Sequence, residues 1–426
     1  MASGLTVARV DAWQVLDSRG TPTVAARVVL SDSSEGVAAV PSGASTGTHE
    51  AVELRDGGLR WGGRGVMSAV GHVRGEIAGA APGHDAEDLG GLDETLRRLD
   101  GTPSLSRLGA NAILSVSIAA ALALAKAREV PLWRLYTERP LIPMPMVNIV
   151  SGGAHADRFI DIQDVLVVPV AAGTFPEAIE WACRVREATA AVAKERGIPS
   201  SLVADEGGIA GRLATNRDAL ELVVDGIRAA GLRPAEDVAL ALDLAATQFQ
   251  VGIGRYRWEC EDRDLTSEEL ISEVAAWCDE FPIVSLEDLA GEDDWTAWAS
   301  ASAQLPGVEL VGDDLFVTSR ERLMMGVDGG IASSVLVKVN QSGTLTSARQ
   351  VLETAQQHGY ATVVSARSGE TEDCWLSDLA VGWRSGQIKV GSTNRSERLS
   401  KWNRLLQLTH DNPDAEFAGW PPHRDA

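Results

Sequence analysis

Between about residue 5 and residue 56 the apolar positions fall in short runs broken by turn residues: TVARVDAWQVL, TPTVAARVVL and GVAAVPSG. Runs of this kind predict strands joined as hairpins. From about 65 to 138 the pattern turns helical and culminates in ANAILSVSIAAALALA. That stretch is alanine-rich, contains Asn111 and two serines and falls short of a membrane span, so it predicts a buried helix. A proline cluster follows, with Pro140, Pro143 and Pro145 in ERPLIPMPMVNIV. Proline stiffens the chain and removes amide donors, so the cluster is expected to mark a domain boundary. Residues 1–138 are expected to form a small α+β domain, and residues 139–426 a second domain ending in a short polar tail.

A different rhythm occupies that second domain. Short apolar runs close on a charged or polar residue, and each is followed by a helical stretch: SLVADEGG, VALALDLAA, PIVSLEDLA, VELVGDDLF, VLVKVNQSG, ATVVSARSG and GQIKVGS. Glu287 to Asp313 is 26 residues and Asp313 to Lys338 is 25, about one strand–helix unit each. So many βα units predict a parallel sheet closed into a barrel, an α/β fold of (β/α)8 type. Chemistry in such barrels gathers at the C-terminal ends of the strands, where these charged residues fall.

Asp243, Glu287 and Asp313 each end an apolar run. Any one of them alone reads as the cap of the next helix, where a carboxylate suits the N-terminal dipole. Three converging at one barrel mouth would repel one another strongly without a cation. Hard oxygen donors with no thiolate or imidazole among them suit Mg²⁺. Lys338 lies inside VLVKVN, where alternation places Leu336, Lys338 and Asn340 on one face. A closed barrel has no edge on which to expose it, so its ammonium is expected inside, desolvated and lowered in pKa, as a proton acceptor. Lys389 in GQIKVGS repeats the arrangement. One lysine can take a proton while the other holds an anion, and spacing does not assign which.

Glu206 in ADEGG is flanked by glycines, with Asp205 beside it as an alternative helix cap. His155 sits in the glycine-framed SGGAHAD, where a lone histidine is more often structural than catalytic. PSGASTG is a small-residue loop suited to ordering over a ligand, but it lacks the P-loop spacing, and no GxGxxG follows a strand.

Charge narrows the partners. Lys plus Arg number 38 against 60 Asp plus Glu, a formal net charge of −22, which disfavours nucleic acid and anionic membranes. A small anionic substrate would need local metal or placed cations. Four scattered cysteines without metal-like spacing, and no basic-then-apolar leader, predict a reduced, cytoplasmic protein.

Taken together, DSRGTPTV, PSGASTGTHEAVELRD, LGANAILSVS, DEGG, VSLEDL, VGDDLFVTS, KVNQSGT, RSGETED, QIKVGS and NRSERLSKWN resemble the enolase family, in order and nearly end to end. The resemblance implies a lid-like N-terminal α+β domain and a barrel whose first units are irregular. It implies a dehydratase using two Mg²⁺ ions, a small phosphoglycerate-like substrate and at least a homodimer. By the same resemblance Asp243, Glu287 and Asp313 are metal ligands, with Ser45 joining a second ion. Lys338 is the base for the C2 proton, Lys389 the partner of the substrate carboxylate, and Glu206 the acid for the departing C3 hydroxyl. His155, Arg367 and Ser368 match phosphoryl-binding groups, and Gln163 lies in the matching DIQ segment.

The chain also departs from the family's wording. Enolases read SHRSGETED where this chain has Ala366, and DIQE where it has Asp164, at the position that partners the catalytic acid. INGG becomes VSGG with Ser151, HADN becomes HADR with Arg158, and GDEGGYAP becomes ADEGGIAG. These changes cluster at the acid and the phosphoryl end. They open room at Ala366 and add a cation if Arg158 points inward. The expected substrate is therefore a modified phosphoryl or phosphonoformyl glycerate, dehydrated to carboxyphosphonoenolpyruvate as in phosphinothricin-type antibiotic biosynthesis. An ordinary glycolytic enolase and a non-catalytic enolase-fold binding protein are the alternatives.

Overall fold

The computed structural model describes residues 4–43 and 47–421. Three antiparallel strands, Val7–Leu16, Pro22–Leu30 and Glu35–Ala39, form the predicted meander. The first hairpin is pinned by Asp17, whose Oδ1 accepts from the amides of Arg19 at 2.9 Å and Thr21 at 2.8 Å. The Ala110–Ala127 helix lies on this sheet. At 18 residues it is long and apolar enough to cross a bilayer, contrary to the sequence estimate, yet 83% of it is buried inside the fold. Its alanines permit close approach. A Cβ added to Gly36 would stand 2.1 Å from the Ala119 carbonyl oxygen and 2.4 Å from the Ala123 nitrogen.

The barrel strands are Met144–Ser151, Asp164–Val168, Ala239–Asp243, Ile283–Glu287, Glu309–Gly312, Ser334–Val337, Ala361–Ser365 and Gly386–Gly391. The last pairs with the first, closing the sheet. Asp164–Val168 runs antiparallel to both its neighbours, whereas the later strands are all parallel. Two helices in succession, Phe175–Glu195 and Asn216–Ala229, then precede the first regular unit. The start of the reversed strand therefore lies at the same mouth as the ends of the others.

Two expectations change here. The proline cluster does not merely punctuate the chain, because Pro145 lies within the first barrel strand. SLVADEGG is not a barrel strand. Val203 makes only an isolated bridge to Ile209, and the two-residue strand Ile209–Ala210 pairs with the end of the first barrel strand. An apolar run of two residues is too short to hold a ladder against the turn residues after it.

Met144, Met146, Leu166, Val168, Ala241, Val311, Leu336 and Val363 fill the barrel interior. Below them Glu309 is satisfied by Ser285 Oγ at 2.8 Å and Gln387 Nε2 at 2.6 Å. This packed plug leaves the chemistry to the other end. Because the meander and the long helix meet with no room for a methyl group, Gly36→Ala is expected to destabilise by about 1–3 kcal/mol. Urea unfolding should show a lower midpoint at unchanged slope.

Candidate active site

The barrel's alternation places Asp243 and Glu287 in register on adjacent strands, and Asp313 one residue past the next strand. All three are buried. Lys389 rises across the barrel between the first two. Its Nζ donates to Asp243 Oδ2 and to Glu287 Oε2, both at 2.6 Å. The Lys338 Nζ donates to Asp313 Oδ2. Lys338 comes one residue after its strand and immediately precedes the short helix Val339–Ser342, so the predicted alternation ends there and Asn340 belongs to that helix.

Both lysines stay protonated. Burial alone would lower the Lys389 ammonium, but Asp243 and Glu287 outweigh it and hold it well above its usual range. Burial likewise works to lower Lys338, but Asp313 and Glu287 together raise it, which corrects the expectation of a lowered value. Desolvation and the nearby Asp243 charge push Glu287 well up. Among the described residues its Oε1 is buried without a hydrogen-bond partner. An all-carboxylate set with an orphaned buried oxygen fits a hard divalent cation such as Mg²⁺. Asp288 shapes the same rim by accepting from the amides of Asp313 at 3.0 Å and Asp314 at 2.8 Å. Ser45 lies outside the described residues.

A second cluster occupies the reversed strand's side of the mouth. Asp164 Oδ2 meets His155 Nδ1 at 3.0 Å, while Nε2 of the same ring stands 3.8 Å from Glu206 Oε1. Burial tends to neutralise the imidazole, yet the charges of Asp164 and Glu206 prevail and raise it to about 9. Burial works to raise Glu206, but His155, Arg398 and both lysines together pull it below its usual value. Asp164 is fully buried behind the ring. Gln163 Nε2 donates to Asp243 Oδ2 at 2.8 Å, linking the two clusters.

Arg367 and Ser368 follow the Ala361–Ser365 strand, with Ala366 buried between. The Arg367 guanidinium donates to Glu50 Oε2 and to Asn340 Oδ1, each at 2.9 Å. Ser368 Oγ accepts from Arg19 at 3.3 Å. Beneath this turn the fully buried Arg398 donates to the carbonyls of Arg367 and Ser368, both at 2.6 Å, and of Val390 at 2.9 Å. Arg158 is not gathered with the others. Its backbone is left-handed, at φ 55°, and its side chain is exposed, which answers the orientation the sequence left open: the cation that an inward Arg158 would add is absent from this arrangement. A cleft of about 710 Å³ opens beside the site, lined in part by Arg19, Glu50, Glu53, Arg55 and Asp205.

Glu50, Gln341, Asn148 and Arg398 were not singled out by sequence reasoning, and Asn340 was placed only on the Lys338 face of a strand. Gln341 Nε2 donates to Asp313 Oδ1 at 2.8 Å. Glu50 lies in THEAVELRD, a stretch legible only as part of the family pattern, and no periodicity could bring it 317 positions along the chain to Arg367.

A closed barrel with two lysines among carboxylates at its mouth, beside a histidine–carboxylate pair, defines an acid–base site built around buried charge. Comparison with known proteins supplies the family. Residues 7–136 match the family described as Enolase, N-terminal domain, and residues 139–423 match Enolase, C-terminal TIM barrel domain. A protein named Enolase from Acidothermus cellulolyticus is 48% identical over 415 residues, 96% of each chain. The chain belongs to the enolase family, whose members are Mg²⁺-dependent hydro-lyases.

Removing one partner of a buried ion pair strands the other charge. Lys389→Met is therefore expected to cost about 3–5 kcal/mol in urea unfolding without Mg²⁺. The His155 imidazole, raised from 6.5 to about 9 by folding, contributes stability that is complete below pH 6.5 and is lost as pH rises through about 9. The stability difference between the wild type and His155→Gln should shrink over that window in urea melts.

Proposed function

We propose that the chain is an Mg²⁺-dependent dehydratase whose substrate is a 2-phosphoglycerate-like glycerate with an enlarged phosphoryl end. In this reading it converts a phosphonoformyl glycerate to carboxyphosphonoenolpyruvate in phosphinothricin-type antibiotic biosynthesis. The observation that carries the substrate assignment is Ala366. A methyl group stands between Ser365 and Arg367, where the family pattern has an imidazole, while the lysines and the acidic trio are retained.

Asp243, Glu287 and Asp313 are the groups that would hold Mg²⁺, with Ser45 for a second ion. Bound Mg²⁺ would supply positive charge against the second negative charge that builds beside a carboxylate as the C2 proton leaves, and would draw off the carboxylate charge that keeps the lysines protonated. Lys338, once deprotonated, takes the C2 proton. Lys389 remains the fixed cation for the substrate carboxylate. Glu206 presents a proton to the departing C3 hydroxyl. At neutral pH that proton is held by the His155–Glu206 pair, since the ring is charged and Nε2 faces the carboxylate. Asp164 acts through His155 and is a positioning residue. Arg367 and Ser368 grip the phosphoryl end, and Gln163 steadies Asp243. The exposed Arg158 lends this assignment no support. We place the enzyme in the cytoplasm as a homodimer or higher homo-oligomer, binding neither nucleic acid nor membrane.

The 48% identity to a protein named Enolase favours a second reading, ordinary conversion of 2-phosphoglycerate to phosphoenolpyruvate. A non-catalytic role is disfavoured, because so much buried charge is costly and a scaffold has no use for it. Steady-state kinetics of the purified chain with Mg²⁺ on both glycerates separates these readings. A higher kcat/KM on the phosphonoformyl compound is expected, and robust turnover of 2-phosphoglycerate alone would favour the ordinary enzyme. Ala366→His should move the ratio of kcat/KM toward 2-phosphoglycerate by about tenfold or more, since steric and polar fit at one position is worth 1–3 kcal/mol. An unmoved ratio would remove Ala366 as the determinant.

A further inference from the structure

Two departures from the family pattern, Ser151 and Asp164, meet across the hairpin that opens the barrel. They are register partners on its antiparallel strands, and both are fully buried. Ser151 Oγ donates to Asp164 Oδ1 at 2.8 Å. Asn148 Nδ2 donates to the same Oδ1 and reaches Ser151 Oγ at 2.8 Å. The other carboxylate oxygen receives the His155 ring. Gly208 closes the back of the nest: a Cβ there would stand 2.3 Å from Ser151 Oγ and 3.0 Å from Asn148 Oδ1. The hydroxyl is thus held from both sides while it holds the acid.

An aspartate on a strand has one fewer rotatable bond than a glutamate, so its carboxylate sits nearer the backbone and its reach is set by the strand. Rotation about its last bond remains free unless one oxygen is tied down. Here Oδ1 is tied, which leaves Oδ2 aimed at Nδ1 and so turns Nε2 toward Glu206. We propose that Ser151 is a positioning residue that acts through Asp164 on His155. The serine and the shortened acid form one unit, matched across paired strands. This deepens the proposed function, because it rests on His155 and Glu206 being the pair that holds the proton. The charged groups that bear on the ring are Asp164, Glu206 and Asp243.

A double-mutant cycle on the full chain tests the unit. Ser151→Ala should lower kcat on the better glycerate by about tenfold with KM nearly unchanged, the worth of a hydrogen bond to a charged group. In an Asp164→Asn background the same change should cost less than about threefold, since coupled residues are non-additive. Additive effects would overturn the proposal, as would an unchanged kcat. A second readout needs no substrate and stands even if neither glycerate is turned over. The ring ¹⁵N shifts of His155 should move in Ser151→Ala while thermal melting shows a retained fold. Unmoved shifts in a folded variant would also overturn it. Should Ser151→Ala fail to fold, Ser151→Cys keeps the bulk, loses most of the donor strength and carries the same comparisons.

Discussion

The Lys389 ammonium between Asp243 and Glu287 is the contact on which the mouth of the barrel depends. Two carboxylates in register on neighbouring strands cannot both remain charged in a dry interior without a cation between them. The lysine comes from a strand that pairs with neither, and it reaches them only because the sheet closes. Closure, the apolar plug beneath, and the charge balance above it are thus one arrangement. The same balance explains why both lysines hold their protons despite burial.

The reversed second strand has a comparable consequence. In a regular βα repeat the start of a strand points away from the active face. Because Asp164–Val168 runs against its neighbours, its first residue joins the mouth and lies opposite both Ser151 and Asp243. The buried charge cluster of Asp164, His155 and Glu206 is built from this reversal and the irregular loops around it. The carboxylate trio is built from the regular repeat. Gln163 ties the two halves together through Asp243.

The N-terminal strands contribute to the same site. Arg19 reaches Ser368 and also donates to Ser42 Oγ at 3.0 Å, and Glu50 meets Arg367. Arg398, from the helix after the last barrel strand, holds the backbone of that turn from below. The Arg367–Ser368 turn is therefore framed by three distant parts of the chain. The departures from the family pattern include Ala366 in this turn and Ser151 and Asp164 in the paired strands beside it, while Asp243, Glu287, Asp313 and both lysines keep the family's wording.

Much of this was legible in the chain itself. Apolar runs closing on Asp243, Glu287, Asp313, Lys338 and Lys389 are a local pattern, and a repeat near 25 residues leaves few folds open to it. The regular half of the barrel and its ring of charge followed from that periodicity. The strands Met144–Ser151 and Asp164–Val168 did not, since one carries proline and the other runs backward, and strand direction leaves no mark on alternation. Nor could composition show that Arg158 faces outward, or that Ser151 lies against Asp164. Side-chain partnership depends on which backbones are brought side by side, and that is decided by sheet register and closure, which no single segment contains.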